Sequence, residues 1–186
     1  MAYFEVAMLS QAQSTPADLR ALEELFERLY AQYNRPLFSY VLRLVGQWEQ
    51  AEDLTQETFV KAYRALARLP ADSNYRAWLY RIATNTCYDA LRRKRLIQWL
   101  PFFEDDAGPP TDSPEHAAAD VLAVRAALAQ LPPDQRTCLV LYIYDNFSTE
   151  EIAEVMSCSR GAVKTRLFRA RERFRQVYVG AEEMKP

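Results

Sequence analysis

The sequence predicts an all-α protein built as two small helical domains joined by a flexible acidic linker. Three observations carry this expectation. Apolar residues recur at three- and four-residue intervals along most of the chain, and no segment alternates apolar and polar residues long enough for a convincing strand. Only 4 of the 186 residues are Gly, which suits long helices. Charge is also segregated. Tyr75 to Arg95 holds six Lys/Arg against one acid and Arg160 to Arg175 holds seven against one, whereas Glu104 to Asp120 carries six acids and no Lys or Arg. The net charge of -2 therefore conceals two basic bodies flanking an acidic connector, and partners feel such local fields rather than totals. Gly108, Pro109, Pro110 and Pro114 oppose regular structure within the connector, and its like charges repel and extend it. The expected boundaries are 17–96 for the first domain, 97–117 for the linker and 118–180 for the second domain.

The elements follow in order. Thr15-Pro16 supplies a cap and a proline at the first helical position, ahead of Leu22, Leu25, Phe26, Leu29 and Tyr30 at helical spacing. A stop or kink is expected at Asn34-Arg35-Pro36, then a helical pattern from Leu37 to Leu44 that ends at Gly46. A third helix is expected from about Glu49 to Ala67 and a fourth from about Asn74 to Arg95. Beyond the connector, Val121, Val124, Leu128 and Leu131 share a stripe, and Pro132-Pro133-Asp134 opens a helix that Asn146-Phe147 breaks. Ser148 and Glu151 have capping-box spacing before a short helix to Met156. Ser157-Cys158-Ser159 then turns into a last helix with Val163, Leu167, Ala170 and Phe174 on one stripe, which makes a helix-turn-helix.

Composition narrows the chemistry. No stretch approaches the roughly 18 to 20 apolar residues of a membrane span, and Met1 to Ser10 lacks the basic start of a secretory signal, so a cytoplasmic protein without membrane insertion is expected. Cys87, Cys138 and Cys158 lie far apart without a CxxC, and His116 is the sole histidine. Neither a metal site nor a cofactor is expected, and the cysteines read as small buried apolar residues. No Gly-rich phosphate loop and no Ser/His/Asp set suggests an enzyme.

Three surfaces stand out. On the last helix Arg166, Arg169 and Arg173, beside Lys164, Arg171 and Arg175, give the cationic profile that a helix in the major groove needs. On the third, Asp53, Gln56 and Glu57 fall together with Phe59 nearby; they suit a basic partner, or a solvated face with a Glu57–Lys61 pair. On the fourth, Trp78, Arg81, Asn85, Tyr88 and Arg92 share a face on which unpaired bases could stack, although Trp78 and Tyr88 equally suit a core.

Those residues also carry a family resemblance. Asp53-Leu54-Thr55-Gln56-Glu57-Thr58-Phe59, then Ala77 to Asn85 and Asp89-Ala90-Leu91-Arg92-Arg93, resemble the σ2 domain of bacterial extracytoplasmic-function (ECF) sigma factors of the sigma-70 family. Ser148 to Glu154 and Val163 to Arg171 are similar to the σ4 helix-turn-helix. The resemblance implies a promoter-specificity subunit of RNA polymerase with no catalytic activity of its own. It gives Asp53, Gln56, Glu57 and Phe59 to the core polymerase, and Asn74, Tyr75, Arg81, Asn85, Arg92 and Arg93 to the minus-10 element and a flipped base. Arg160, Lys164, Thr165, Arg166, Arg169 and Arg171 fall to the minus-35 duplex. An anti-sigma factor is the further implied partner. Ser159-Arg160-Gly161-Ala162 departs from the family's more usual turn, and Trp99 to Phe103 adds an apolar run expected to pack on σ2. A free-standing helix-turn-helix regulator and a small enzyme with a DNA-binding tail are the competing readings.

Overall fold

The computed structural model describes residues 16–70, 72–97 and 123–183. The Thr15 cap, the Trp99 to Phe103 run, nearly all of the acidic linker and Val121 lie outside the described residues. Seven helices run through the described residues: α1 Pro16–Val45, α2 Trp48–Leu66, α3 Tyr75–Ile97, α4 over 123–129, α5 Pro133–Ile143, α6 Thr149–Val155 and α7 Arg160–Glu183.

Pro36 does not end a helix, contrary to the sequence reading; α1 continues through it to Val45. An interior proline costs about 3 kcal/mol in lost bonding and steric clash. The next turns offset it, because Leu37, Tyr40, Val41 and Leu44 are all essentially fully buried. Gly46 then caps α1 at φ +81°, donating its N–H to the Leu42 carbonyl at 2.8 Å. A β-carbon would meet nothing there, so left-handed backbone rather than space calls for glycine.

The helices α1, α2 and α3 pack against one another, and α5, α6 and α7 form a second cluster. The turn chemistry of the second cluster follows its sequence. Asn146 adopts a left-handed φ of 52°, which reverses the chain after α5. Ser148 accepts from the Glu151 N–H at 3.2 Å while Glu151 accepts from the Ser148 N–H at 2.8 Å, completing the capping box and holding the Glu151 carboxyl below its usual range. Ser157 turns left-handed at φ 49°, and Ser159 Oγ then receives the Ala162 N–H at 3.2 Å. With those turns set, Ile152 and Val155 bury beside Val163, Leu167 and Ala170. The last helix α7 is fixed by its inner face, with Lys164, Thr165 and Arg169 left exposed.

The two clusters are not separate bodies: α3 packs on α6, α1 packs on α5, and one core runs through both. The Tyr40, Tyr80 and Phe147 rings form a chain with successive centroids 4.9 Å apart, crossing from α1 through α3 to the turn before α6. Tyr40 also shares a 2.7 Å hydrogen bond with Thr84. Across the joint Tyr88 donates to Thr137 at 3.0 Å, and Arg136 donates to the carbonyls of Leu44, Ala129 (2.7 Å) and Leu131 (3.2 Å). One guanidinium thereby satisfies carbonyls that helix ends leave open in both clusters.

Cys87 and Cys138 are buried, and burial pushes each thiol up to about 12; Cys138 also donates to the Met156 sulfur at 3.2 Å. Cys158 is half-buried. In the native protein at pH 8, Ellman's reagent should therefore modify Cys158 rapidly and the other two only as the chain unfolds. Three equivalents released at one fast rate would contradict the packing.

Candidate nucleic-acid interface

The cationic side chains of α7 divide by what they touch. Lys164, Thr165 and Arg169 are exposed, with the Thr165 hydroxyl returned to the Gly161 carbonyl at 3.0 Å. Arg160 pairs with Glu150 at 2.7 Å across the helix-turn-helix, both side chains being largely exposed. Arg171 lies over the Tyr142 ring at 5.0 Å. Arg166 behaves differently. Its Nε donates to Asp134 Oδ2 at 3.0 Å, which ties it to the start of α5 and leaves only 31% of the side chain exposed. Phe168 was not singled out from the sequence, yet it is 68% exposed, the most open of the large apolar side chains among the described residues. Its signal was its position one residue after Leu167, turned off the buried stripe.

On α3 the expected strand-binding residues are distributed along one helix. Asn74 caps it by accepting the Ala77 N–H at 3.1 Å. Tyr75 and Arg81 are half-buried, whereas Asn85, Arg92 and Arg93 are exposed; Arg92 pairs with Asp89 within the helix. The aromatics of that face mostly face inward. Trp78 is buried, and Tyr88 reaches Thr137, with burial pushing its phenol up to about 12.

On α2, Asp53 and Gln56 stand exposed, and Glu57 pairs with Lys61 at 2.8 Å. Phe59 does not join that surface. It is buried, with the Phe26 ring 6.2 Å and the Tyr30 ring 4.8 Å away in edge-on contacts. The stripe Thr55, Thr58, Phe59, Ala62 and Leu66 has helical spacing, and its two threonines hid it from a reading by apolarity. Both hydroxyls are satisfied within the helix, Thr55 on the Ala51 carbonyl at 2.6 Å and Thr58 on the Leu54 carbonyl at 2.7 Å.

Among the described residues no group of three His, Cys, Asp or Glu could hold a metal ion, and no helix is long and apolar enough to cross a membrane.

Comparison with known proteins is consistent with this geometry. Sigma-70 region 2 matches residues 29–97, and Sigma-70 region 4 matches residues 122–174. The RNA polymerase sigma-H factor of Pseudomonas aeruginosa is 39% identical over 165 residues, covering 82% of this chain and 86% of that protein. The ECF RNA polymerase sigma factor SigE of Mycolicibacterium smegmatis is 32% identical; the match covers 81% of this chain and 60% of that longer protein. In three dimensions the chain resembles the sigma factor RpoE in its co-crystal with the anti-sigma factor NepR from Bartonella quintana, with a TM-score of 0.70 and 30% identity over 82% of this chain and 95% of that one. Two family regions in order, a relative matched over most of its length and a shared arrangement of helices lead to one conclusion: the chain belongs to the sigma-70 family of RNA polymerase sigma factors, in its extracytoplasmic-function branch.

Proposed function

We propose that the protein binds core RNA polymerase in the cytoplasm and directs promoter-specific initiation without catalytic activity of its own, residues 17–96 acting on the minus-10 element and 118–180 on the minus-35 element across the linker 97–117. The observation that carries this reading is the exposed cationic face of α7, held outward by a capped helix-turn-helix. Arg169, Lys164, Thr165, Arg160 and Arg171 contact the minus-35 duplex, where arginine on guanine discriminates by about 1 to 3 kcal/mol. The exposed Phe168 ring suits a thymine methyl group. Arg166 contributes chiefly by orienting α7 through Asp134, at 3.0 Å.

Asp53, Gln56 and Glu57 form the polymerase-facing patch, and Phe59 supports it from the core. Asn74, Tyr75, Arg81, Asn85, Arg92 and Arg93 engage the melted minus-10 strand. Unstacking a base costs a few kcal/mol, which stacking and phosphate neutralisation offset. An anti-sigma factor is a further partner, supported by the likeness to RpoE in its complex with NepR. A free-standing regulator would bind duplex operators without polymerase, usually as a dimer.

Purified chain added to core polymerase should give promoter-specific starts; random starts at every template would refute the proposal. Asp53→Ala should weaken binding to core severalfold and leave the minus-35 contact intact. Arg169→Ala should cut initiation at minus-35-dependent promoters by about 5- to 150-fold, matching the 1 to 3 kcal/mol above, with core affinity unchanged. Asp134→Ala should reproduce a milder form of the Arg166→Ala defect. If Arg166→Ala alone impairs initiation, Arg166 reads DNA directly.

A further inference from the structure

The turn that joins α5 to α6 inserts an acid into a cationic pocket of the first cluster. Asp145 Oδ1 accepts the Tyr80 hydroxyl at 2.7 Å, and the Asp145 carbonyl accepts from Arg76. The Arg76 guanidinium also lies 3.9 Å from the Phe147 ring centroid, and Arg43 lies 4.1 Å from that of Tyr144. Both arginines act electrostatically on the Asp145 carboxyl, and burial nonetheless pushes that carboxyl above its usual range. Its second oxygen, Oδ2, is buried without a hydrogen-bond partner. Arg76 also acts on Glu151, whose carboxylate is committed to the Ser148 N–H at 2.8 Å. Neither Arg43 nor Arg76 forms a salt bridge among the described residues.

Without Asp145 the first cluster would present two guanidinium groups and a phenolic donor with no paired acid. That set suits a singly charged oxyanion, and a backbone phosphodiester, with one negative charge on two non-bridging oxygens, presents the same charge and acceptor pair as the carboxylate it would replace. Two of its members also lie on the helix that carries the strand-binding residues proposed above. Arg76 follows Asn74 and Tyr75 at the start of α3, and Tyr80 precedes Arg81 on the same helix.

We propose that Arg43, Arg76 and Tyr80 form a binding site for a backbone phosphate of the promoter strand, and that Asp145 occupies it as an internal competitor while the two helical clusters are docked. This rests on the sigma-factor reading and names a phosphate contact and a regulatory acid within it. Strand binding and docking then exclude each other at one pocket. Any partner that draws the clusters apart exposes the phosphate site as it does so, a population shift governed by differential affinity.

The test uses the full chain and a fluorescein-labelled oligodeoxythymidine of about twelve nucleotides, because a backbone contact is independent of sequence. By fluorescence anisotropy, Asp145→Ala should bind about tenfold more tightly than the unmodified chain. Adding Arg76→Gln or Arg43→Gln should abolish that gain and lower the slope of log affinity against log salt by about one. Far-ultraviolet circular dichroism checks that each variant is folded. Should Asp145→Ala not fold, Asp145→Asn, which keeps the shape and removes the charge, should show a smaller gain in the same direction. No tightening in a folded Asp145 variant, or tightening that survives Arg76→Gln, would overturn the proposal. Transcription with core polymerase separates the two levels. Promoter-specific starts together with an unresponsive oligonucleotide assay remove only the phosphate site; absent starts with a tenfold gain remove the sigma-factor reading and leave an anion pocket.

Discussion

Tyr80 of α3 lies where three demands meet. Its ring packs between Tyr40 and Phe147, its hydroxyl must find a partner because it is largely removed from water, and the acid that answers it comes from the other helical cluster. Burial and the neighbouring Asp145 both raise the phenol above its ordinary range, so it stays a neutral donor at any physiological pH. Aromatic contacts of this kind add roughly 0.5 to 1.5 kcal/mol each beyond area burial, and a neutral hydrogen bond adds about 1 kcal/mol. Individually these are modest. Arranged in series they make one core of what the charge pattern divides into two bodies.

That series also bears on how the molecule works. A recognition helix needs a rigid inner face and an open outer one, and α7 has both, since Val163, Leu167 and Ala170 are buried while Lys164, Thr165 and Arg169 are not. The same helix-turn-helix supplies the turn that docks on α3. In the proposed reading, DNA contact and docking of the clusters draw on opposite ends of one short motif, with Asp145 and Phe147 at its entrance and the α7 cations at its exit.

Much of this was legible in the sequence because it is local. Helical spacing, the Ser148–Glu151 box, the Gly46 cap and the Ser159 cap all depend on residues within a few positions of one another. What stayed hidden depends on long separations. Nothing near Phe59 announces that Phe26 and Tyr30 will close over it, and nothing near Arg166 announces Asp134, 32 positions away. Pro36 misled for the opposite reason. Its local penalty is real, and only the burial of Leu37, Tyr40, Val41 and Leu44 outweighs it. The family resemblance supplied roles for exposed residues, and the packing sorted them into those that reach outward and those that brace the scaffold.

Arg136 gives the joint a second character. Its guanidinium meets peptide carbonyls of Leu44, Ala129 and Leu131 rather than carboxylates. Mobile ions weaken attraction between exposed opposite charges over about 8 Å at physiological ionic strength, yet they have little purchase on a bond between a guanidinium and a buried peptide dipole. The Arg76 guanidinium likewise meets the Asp145 carbonyl, and the Asp145 carboxyl is answered by the neutral Tyr80 hydroxyl, so added salt has little hold on either fastening and the docked halves persist across ionic strengths.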